Sequence, residues 1–272
     1  MLHDITVRFL TMLIVFTPLE LLFPRRKIAI NRKHRLTDLL YIFVAVFPIA
    51  FLTLLITTLG TWILSPFELN NVQKWISELP IWTSLPLLIL IVDVGYYWVH
   101  RAHHEIPALW RLHAIHHSIE ELDWMAAHRV HPIDQALTRG ISMVPVVWLG
   151  FDNAAILLAI LLWGTVFSFH SMLKHSNVNV RFGPLRWLLI EPAYHHWHHA
   201  NQSEAFNKNY AGQLPILDLL FGTAFMKDES TLKRYGTSTK VPDSFIGQIV
   251  HPAGYLQEKC SKNEDHSNRG SP

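Results

Sequence analysis

A long uncharged segment, residues 39–67, is the feature that most constrains the fold of this chain. It is longer than the roughly 20 apolar residues that an α-helix needs to cross a bilayer. Two further apolar runs cover residues 9–24 and 81–99, and Asp93 is the only charge inside the second of these. Because a backbone in lipid must satisfy its own hydrogen bonds, the three runs predict membrane helices.

The composition agrees with a membrane protein. Hydrophobic residues make up 50% of the 272 residues and charged residues 16%, against about 25% charged residues in soluble domains. The formal net charge of +2 gives no reason to expect a nucleic-acid partner. The sole cysteine, Cys260, lies in a polar tail, so a disulfide framework and a cysteine-based metal site are both excluded. Any bound metal must use imidazole or carboxylate ligands.

The basic residues between the first two apolar runs indicate an orientation. Six Lys and Arg residues fall within residues 25–35, which the positive-inside rule places in the cytoplasm; the alternative is a solvated charge run. Residues 140–151 and 153–173 carry no charge and are separated only by Asp152. We interpret them as a helical hairpin that turns near residues 150–153 and returns to the same side. Two full spans would give the same topology, with all histidine clusters on one face.

The sequence is therefore divided into three regions. Residues 1–99 form membrane-spanning helices, residues 100–226 form a histidine-box catalytic region with a membrane hairpin at about 137–173, and residues 227–272 form a polar tail. The expected fold class is all-α. The expected architecture is a polytopic membrane protein with about four membrane helices or hairpins and a cytoplasmic helical cap that holds a histidine-rich di-metal site. The short chain and the lack of a retention signal favour the bacterial inner membrane over the endoplasmic reticulum.

Histidines are concentrated in one stretch of the chain. Between His100 and His199 lie 14 of the 18 histidines, in five clusters. Positions three and four residues apart share a helix face, so an HxxxH or HxxHH motif can direct two or three imidazoles at one point. Imidazole suits Fe, Zn, Cu and Ni. A single histidine at a membrane interface is more often a hydrogen-bonded surface group, as expected for His3, His34, His251 and His266. The clusters predict metal ligation.

Neutral imidazoles do not offset the charge of two divalent ions, so nearby carboxylates are expected to accept hydrogen bonds from the outer ring nitrogens. The acidic candidates are Asp93, Asp123, Asp134 and Glu191. Asp93 is favoured, because a carboxylate inside an apolar span is a functional candidate by default; a helix–helix hydrogen bond is the alternative. His131 and His196 are further candidates for contact with the ligands from outside.

The motifs occur in a characteristic order. They are Asp93-Val-Gly-Tyr-Tyr-Trp-Val-His-Arg101, His113-Ala-Ile-His-His-Ser118, Arg129-Val-His-Pro132, His170 through His175-Ser-Asn177, Gly183-Pro-Leu-Arg-Trp187, His195-His-Trp-His-His199, Lys208-Asn-Tyr-Ala-Gly212 and Leu217-Asp-Leu-Leu-Phe-Gly-Thr223. This series, over about residues 90–225, resembles the fatty acid hydroxylase / sterol desaturase superfamily of membrane di-iron oxygenases.

The resemblance implies two iron ions in a cytoplasmic cap. It carries catalytic and metal-ligand roles onto eight histidines: His100, His104, His113, His116, His117, His195, His198 and His199. It also carries a ligand role onto His170 and His175. Some members have an HxxxH spacing at this last pair, which would place a ligand at Lys174, so the resemblance leaves open which of the two histidines binds metal.

The function implied is O2-dependent hydroxylation or desaturation of a lipid, such as a sterol, a fatty acyl chain or an ether lipid. The lipid would enter from the bilayer. Electrons must come from an external donor, because the chain has no fused cytochrome domain and no cysteine cluster for iron–sulfur ligation. The alternative is a membrane metal-binding or metal-transport protein, but a transporter is expected to place its ligands near the bilayer midplane. A zinc hydrolase would require an HExxH motif, which is absent from the sequence.

Overall fold

A computed structural model describes residues 2–29, 32–67, 69–151 and 154–252. No β-strand occurs in these ranges, so the prediction of an all-helical chain is confirmed. Residues 253–272, the end of the predicted polar tail, lie outside the described residues. The α-helices are α1 (Leu2–Leu22), α2 (Arg35–Leu40), α3 (Val46–Leu64), α4 (Asn70–Ser77), α5 (Ile81–Glu105), α6 (Pro107–His117), α7 (Pro132–Trp148), α8 (Ala154–His175), α9 (Pro192–His198) and α10 (Ile216–Leu220).

Three helical segments are long and apolar enough to cross a bilayer, judged by length and composition. They are His3–Leu22, Arg35–Leu64 and Ile81–Glu105, and the second runs from α2 through a π-helical stretch, Tyr41–Ala45, into α3. Many of their large apolar side chains are exposed, as expected for helices that face lipid: Ile14, Phe51, Leu54, Trp62 and Trp82. These segments coincide with the three apolar runs of the sequence.

The predicted membrane hairpin corresponds to α7 and α8. Helix α7 ends at Trp148, and Gly150 follows with a φ of 81° that favours glycine. Asp152 and Asn153, in the predicted turn, lie outside the described residues. Neither α7 nor α8 is among the three candidate spans of the described residues, so insertion of this pair into the membrane stays a prediction.

Small residues allow α7 to pack closely on two of the candidate membrane helices. A Cβ atom at Gly95 of α5 would lie 2.8 Å from the Cα of Ser142 on α7, and one at Gly140 of α7 would lie 2.7 Å from Ile56 of α3. Such close approach through small residues is typical of helices in membranes. Helix α7 is thereby fixed against both the second and the third candidate span.

Proline begins three of the helices near the histidine clusters. Pro107, Pro132 and Pro192 stand in the first turns of α6, α7 and α9, where their missing N–H costs no hydrogen bond. The residue before a proline is driven to extended backbone, and Ile106 has φ −96° and ψ 115°. This break turns the chain between α5 and α6, so that their histidines face one another.

Candidate di-metal centre

Nine histidines form two groups, each suited to hold a metal ion, and all of them except the half-buried His104 are buried. The first group has five members, from α5, α6 and α9: His100, His104, His113, His117 and His198. The second has four, from α6, α8, α9 and the residue after α9: His116, His175, His195 and His199. Within each group the candidate ligand nitrogens lie within 4.8 Å of one another. Four helices from three distant parts of the sequence therefore meet at this site.

Each HxxHH motif is divided between the two groups. On α6, His113 and His117 belong to the five-histidine group and His116 to the four-histidine group. The segment 195–199 divides in the opposite sense, with His198 in the first group and His195 and His199 in the second. Because positions i and i+4 share a face and i+3 lies to one side, one motif can serve two adjacent ions. The two groups are thus neighbours, and His117 of the first group stacks on His199 of the second.

Five of the nine imidazoles donate from Nδ1 to a fixed oxygen. The acceptors are one carboxylate and four backbone carbonyls: Asp134 for His113 at 2.7 Å, Tyr210 for His100 at 2.7 Å, Arg129 for His116 at 3.1 Å, Ser171 for His175 at 2.6 Å and Lys208 for His198 at 2.8 Å. An oxygen of this kind can only accept, so the proton is assigned to Nδ1 and Nε2 is left with a lone pair. Such outer hydrogen bonds orient metal-binding histidines.

The Nε2 atoms of these histidines point at one another. The Nε2 atoms of His100 and His113 lie 3.1 Å apart, and those of His116 and His175 lie 3.0 Å apart. All four rings donate from Nδ1, so each contact sets two lone pairs together, which is repulsive without a cation. Two nitrogens bound to one metal at about 2.0–2.1 Å are themselves about 3 Å apart. The donor set therefore fits a metal ion in each group.

Three of the imidazoles outside the candidate membrane helices have strongly lowered pKa values, which favour the neutral form: His116, His117 and His199. Burial, together with the nearby His113, lowers the pKa of His116 to about 3. Burial and neighbouring imidazoles also lower the pKa values of His117 and His199 far below the ordinary value. A neutral imidazole is the form that binds metal.

Asp134 is the carboxylate that contacts a site histidine. It accepts from His113, and its other oxygen lies 3.7 Å from Nε2 of the buried His103. Asp93 instead accepts the backbone N–H groups of Gln213 and Leu214, at 2.9 and 2.7 Å. The structure thus places Asp134, and not the favoured Asp93, against the ligand set.

The two other histidines expected to support the ligands bond elsewhere. His131 Nε2 donates to the carbonyl of Ile249 at 3.1 Å, and its Nδ1 accepts the N–H of Ile133 as the cap of α7. His196 bonds to the hydroxyl of Tyr235 at 2.6 Å and to the carbonyl of Ser176 at 3.0 Å. Neither contacts a member of the two groups through these bonds.

The structure brings His175 into the four-histidine group and leaves His170 outside both groups. His170 Nε2 donates to the carbonyl of Ile190 at 2.6 Å. The physical reason is helix geometry: residues five apart are rotated by about 140° around an α-helix and cannot share a face. Lys174, the other position considered, donates from Nζ to the carbonyl of Gly212 at 2.8 Å.

A buried network of two arginines and two aspartates fixes the backbone that holds His116. Arg129, whose carbonyl accepts from His116, donates from Nε to Asp38 at 2.5 Å. Arg32 donates to Asp38 at 2.5 Å and twice to Asp123 at 2.7 Å. All four side chains are buried. Arg32 belongs to the basic run that indicated topology, and no sequence pattern indicates this second role.

Two cavities reach the histidines from different sides. A narrow cleft of about 70 Å³, with walls from α5 to α8 that include Tyr96 and Ser171, reaches four imidazoles of both groups: His100, His113, His116 and His175. A second cavity of about 240 Å³, bordered by Trp110 and Phe206, reaches three imidazoles of the five-histidine group: His104, His117 and His198. The five-histidine group therefore borders two cavities, and one of them also reaches the four-histidine group.

The apolar helices and the two histidine groups define a membrane protein with a histidine-rich metal centre. The fatty acid hydroxylase family model matches residues 85–223, about half of the chain, and the chain belongs to this family. The expected superfamily is thereby confirmed.

Curated relatives are enzymes that act on lipids or long-chain aldehydes. The chain is 34% identical to ornithine lipid hydroxylase OlsE of Rhizobium tropici, over 65% of this chain and 53% of that protein. It is 34% identical to alkylglycerol monooxygenase of Danio rerio, over 63% and 34%. It is 27% identical to very-long-chain aldehyde decarbonylase GL1-7 of Oryza sativa subsp. japonica, over 64% and 28%. The match thus spans about half of the first relative and a third of the second. No solved structure matches the chain.

Proposed function

We propose that this chain is a membrane-bound di-iron oxygenase that hydroxylates or desaturates a lipid with O2 and electrons from an external donor. The observation that carries the proposal is the set of facing Nε2 atoms in the two histidine groups, whose outer nitrogens are already bound to oxygens. The named activities of the relatives, lipid hydroxylation and ether-lipid monooxygenation, support the choice of reaction.

The nine imidazoles would hold two iron ions, which when bound would supply O2 activation and oxidation of a C–H bond. Imidazole is a suitable ligand for iron. The five carbonyl and carboxylate acceptors hold the Nδ1 protons and so fix the ring orientations. The five-histidine group would hold one ion, and the other ion would be held by the four-histidine group. The narrow cleft reaches this group through His116 and His175 and would bring the lipid to it.

The test is metal and activity analysis of protein purified from cells grown with iron. We expect about two irons per chain, coupled in the Mössbauer spectrum, and O2-dependent oxidation of added membrane lipids when a chemical reductant is supplied. Zinc alone, with no iron uptake on reconstitution and no O2 consumption by the reduced protein, would contradict the proposal and favour a non-redox metal-binding role.

We also propose that the chain crosses the bacterial inner membrane several times and that the histidine groups face the cytoplasm. The basic run at residues 25–35 supports this orientation. In a Cys260→Ser background, Lys33→Cys should be shielded from an impermeant thiol reagent in intact cells, because Lys33 is exposed on the histidine side. Glu78→Cys, exposed after α4, is the matched control and should label readily. The reverse pattern would invert the topology, and recovery of the chain outside the inner-membrane fraction would contradict the location.

A further inference from the structure

Arg139 is an exposed arginine in the middle of α7, and no residue from Gly140 to the end of this helix is charged. No carboxylate of the described residues pairs with it. Its partner is Gln135, whose side-chain oxygen, when turned toward it, accepts from Nε at 2.6 Å and from Nη2 at 3.2 Å. The two buried arginines of the network around Asp38 are, by contrast, each bound to carboxylates.

The surroundings of Arg139 are those of the membrane helices. The next residue, Gly140, lies against Ile56 in the central part of α3, and its carbonyl accepts from Thr57. Ser142, three residues after Arg139, packs on Gly95 of α5. A cationic side chain at such a level is costly and marks a binding site more often than a structural feature.

Arg139 also lines the cleft that leads to the histidines. Arg139 and Gln135 share this cleft with His100, His113, His116 and His175, and Phe167 and Ser171 of α8 form part of the opposite wall. Along α7, Arg139 stands five residues from Asp134, which holds His113. Both residues line the cleft, about 7.5 Å apart along the helix axis. A lipid whose acidic group is held by Arg139 can therefore place the carbons next to that group along the cleft toward the histidines that line it.

We propose that Arg139, supported by Gln135, binds the acidic group of a lipid headgroup, a phosphate or a carboxylate, and so selects acidic lipids and places a carbon near the headgroup at the histidine groups. The planar guanidinium matches both anions with two parallel hydrogen bonds. The bound anion provides Arg139 with a negatively charged partner, which no carboxylate of the described residues provides. The part of the proposal that concerns oxidation rests on the proposed function; the binding part does not.

The binding test uses the protein as isolated, under anaerobic conditions without reductant, so that no turnover occurs. Detergent-solubilised protein is titrated with two radiolabelled lipids that carry the same acyl chain, anionic 1-acylglycerol 3-phosphate and neutral 1-monoacylglycerol. We expect the wild type to prefer the anionic lipid. Arg139→Gln should weaken binding of the anionic lipid at least tenfold and leave binding of the neutral lipid unchanged, and Arg139→Lys should restore part of the affinity.

Arg186→Gln is the matched control, because Arg186 is an exposed arginine that lies over the ring of Trp187, away from the cleft. It should bind both lipids as the wild type does. Equal affinity of the wild type for the two lipids, or an unchanged preference in Arg139→Gln, would overturn the proposal and leave Arg139 as a side chain that extends to the interface. Inorganic phosphate that displaced the anionic lipid with comparable affinity would identify a free-anion site and also overturn it.

A second readout locates the oxidised carbon. In lipids recovered after turnover, tandem mass spectrometry should place the new oxygen or double bond in the headgroup, the glycerol or the first carbons of a chain. Oxidation near the methyl end would contradict the geometry. Absence of any oxidation, with the anionic preference intact, would count against the oxygenase and not against Arg139.

Discussion

Replacement of His116 by alanine is expected to reduce the metal content from about two ions per chain to about one and to abolish lipid oxidation. His116 stands in the four-histidine group, with its Nε2 3.0 Å from that of His175. Its loss would leave three imidazoles in that group. Because changes even to the partners of metal ligands cost about 10–100-fold in affinity or activity, loss of a ligand should exceed that range. Elemental analysis and lipid oxidation measure the two effects.

The matched control is His170→Gln, which alters a buried histidine of α8 that lies outside both groups and keeps a donor for the carbonyl of Ile190. It should retain both ions. Thermal unfolding in detergent shows whether a variant that has lost metal is still folded. The milder substitution His116→Asn removes the imidazole with less change in side-chain size and polarity. Full metal content and activity in both His116 variants would refute its assignment as a ligand. Equal metal loss in His170→Gln would show that the ligand set differs from the two groups.

Replacement of Asp134 by asparagine should lower metal affinity or activity by about 10–100-fold. The amide keeps an oxygen for the Nδ1 of His113, bound at 2.7 Å in the wild type, but it removes the negative charge that polarises this imidazole. Asp134→Ala also removes the acceptor and should have the larger effect. Metal affinity is measured by competition with a chelator, and activity by oxidation of the same lipids.

Asp93→Asn provides the comparison, since Asp93 is equally buried but bonds to the backbone of residues 213 and 214. We expect it to lower thermal stability and to leave metal affinity nearly unchanged. If Asp93→Asn weakened metal binding while Asp134→Asn did not, the carboxylate that supports the centre would be Asp93, as the position of that residue inside an apolar run suggested.

The sequence does not predict which of these two carboxylates contacts a histidine of the site. Asp93 stands out because it interrupts a hydrophobic run, and Asp134 has no such signal. The contact between Asp134 and His113 depends on the packing of α7 against α5 and α6, which brings together residues 21 positions apart. The sequence therefore supplied both candidates, but the helix packing selected one.

For the pair His170 and His175, the helical repeat decides which histidine faces the other imidazoles. The family resemblance offered both histidines as ligands, while the angular spacing of α8 allows only one of them to face the other imidazoles. This angular spacing follows from the sequence alone if residues 170–175 form a helix. The outward bond of His170 to Ile190, by contrast, required the structure.

The sequence by itself determined the apolar helices, the imidazole character of the candidate metal site, and the local i, i+4 pairing within each motif, because these depend on composition and on the helix repeat. The tertiary structure decided how nine histidines divide into groups of five and four, which oxygens hold their outer nitrogens, and why Arg139 faces the same cleft. These features depend on contacts such as that between His100 and the carbonyl of Tyr210, 110 positions apart, and no local pattern encodes the meeting of such distant segments.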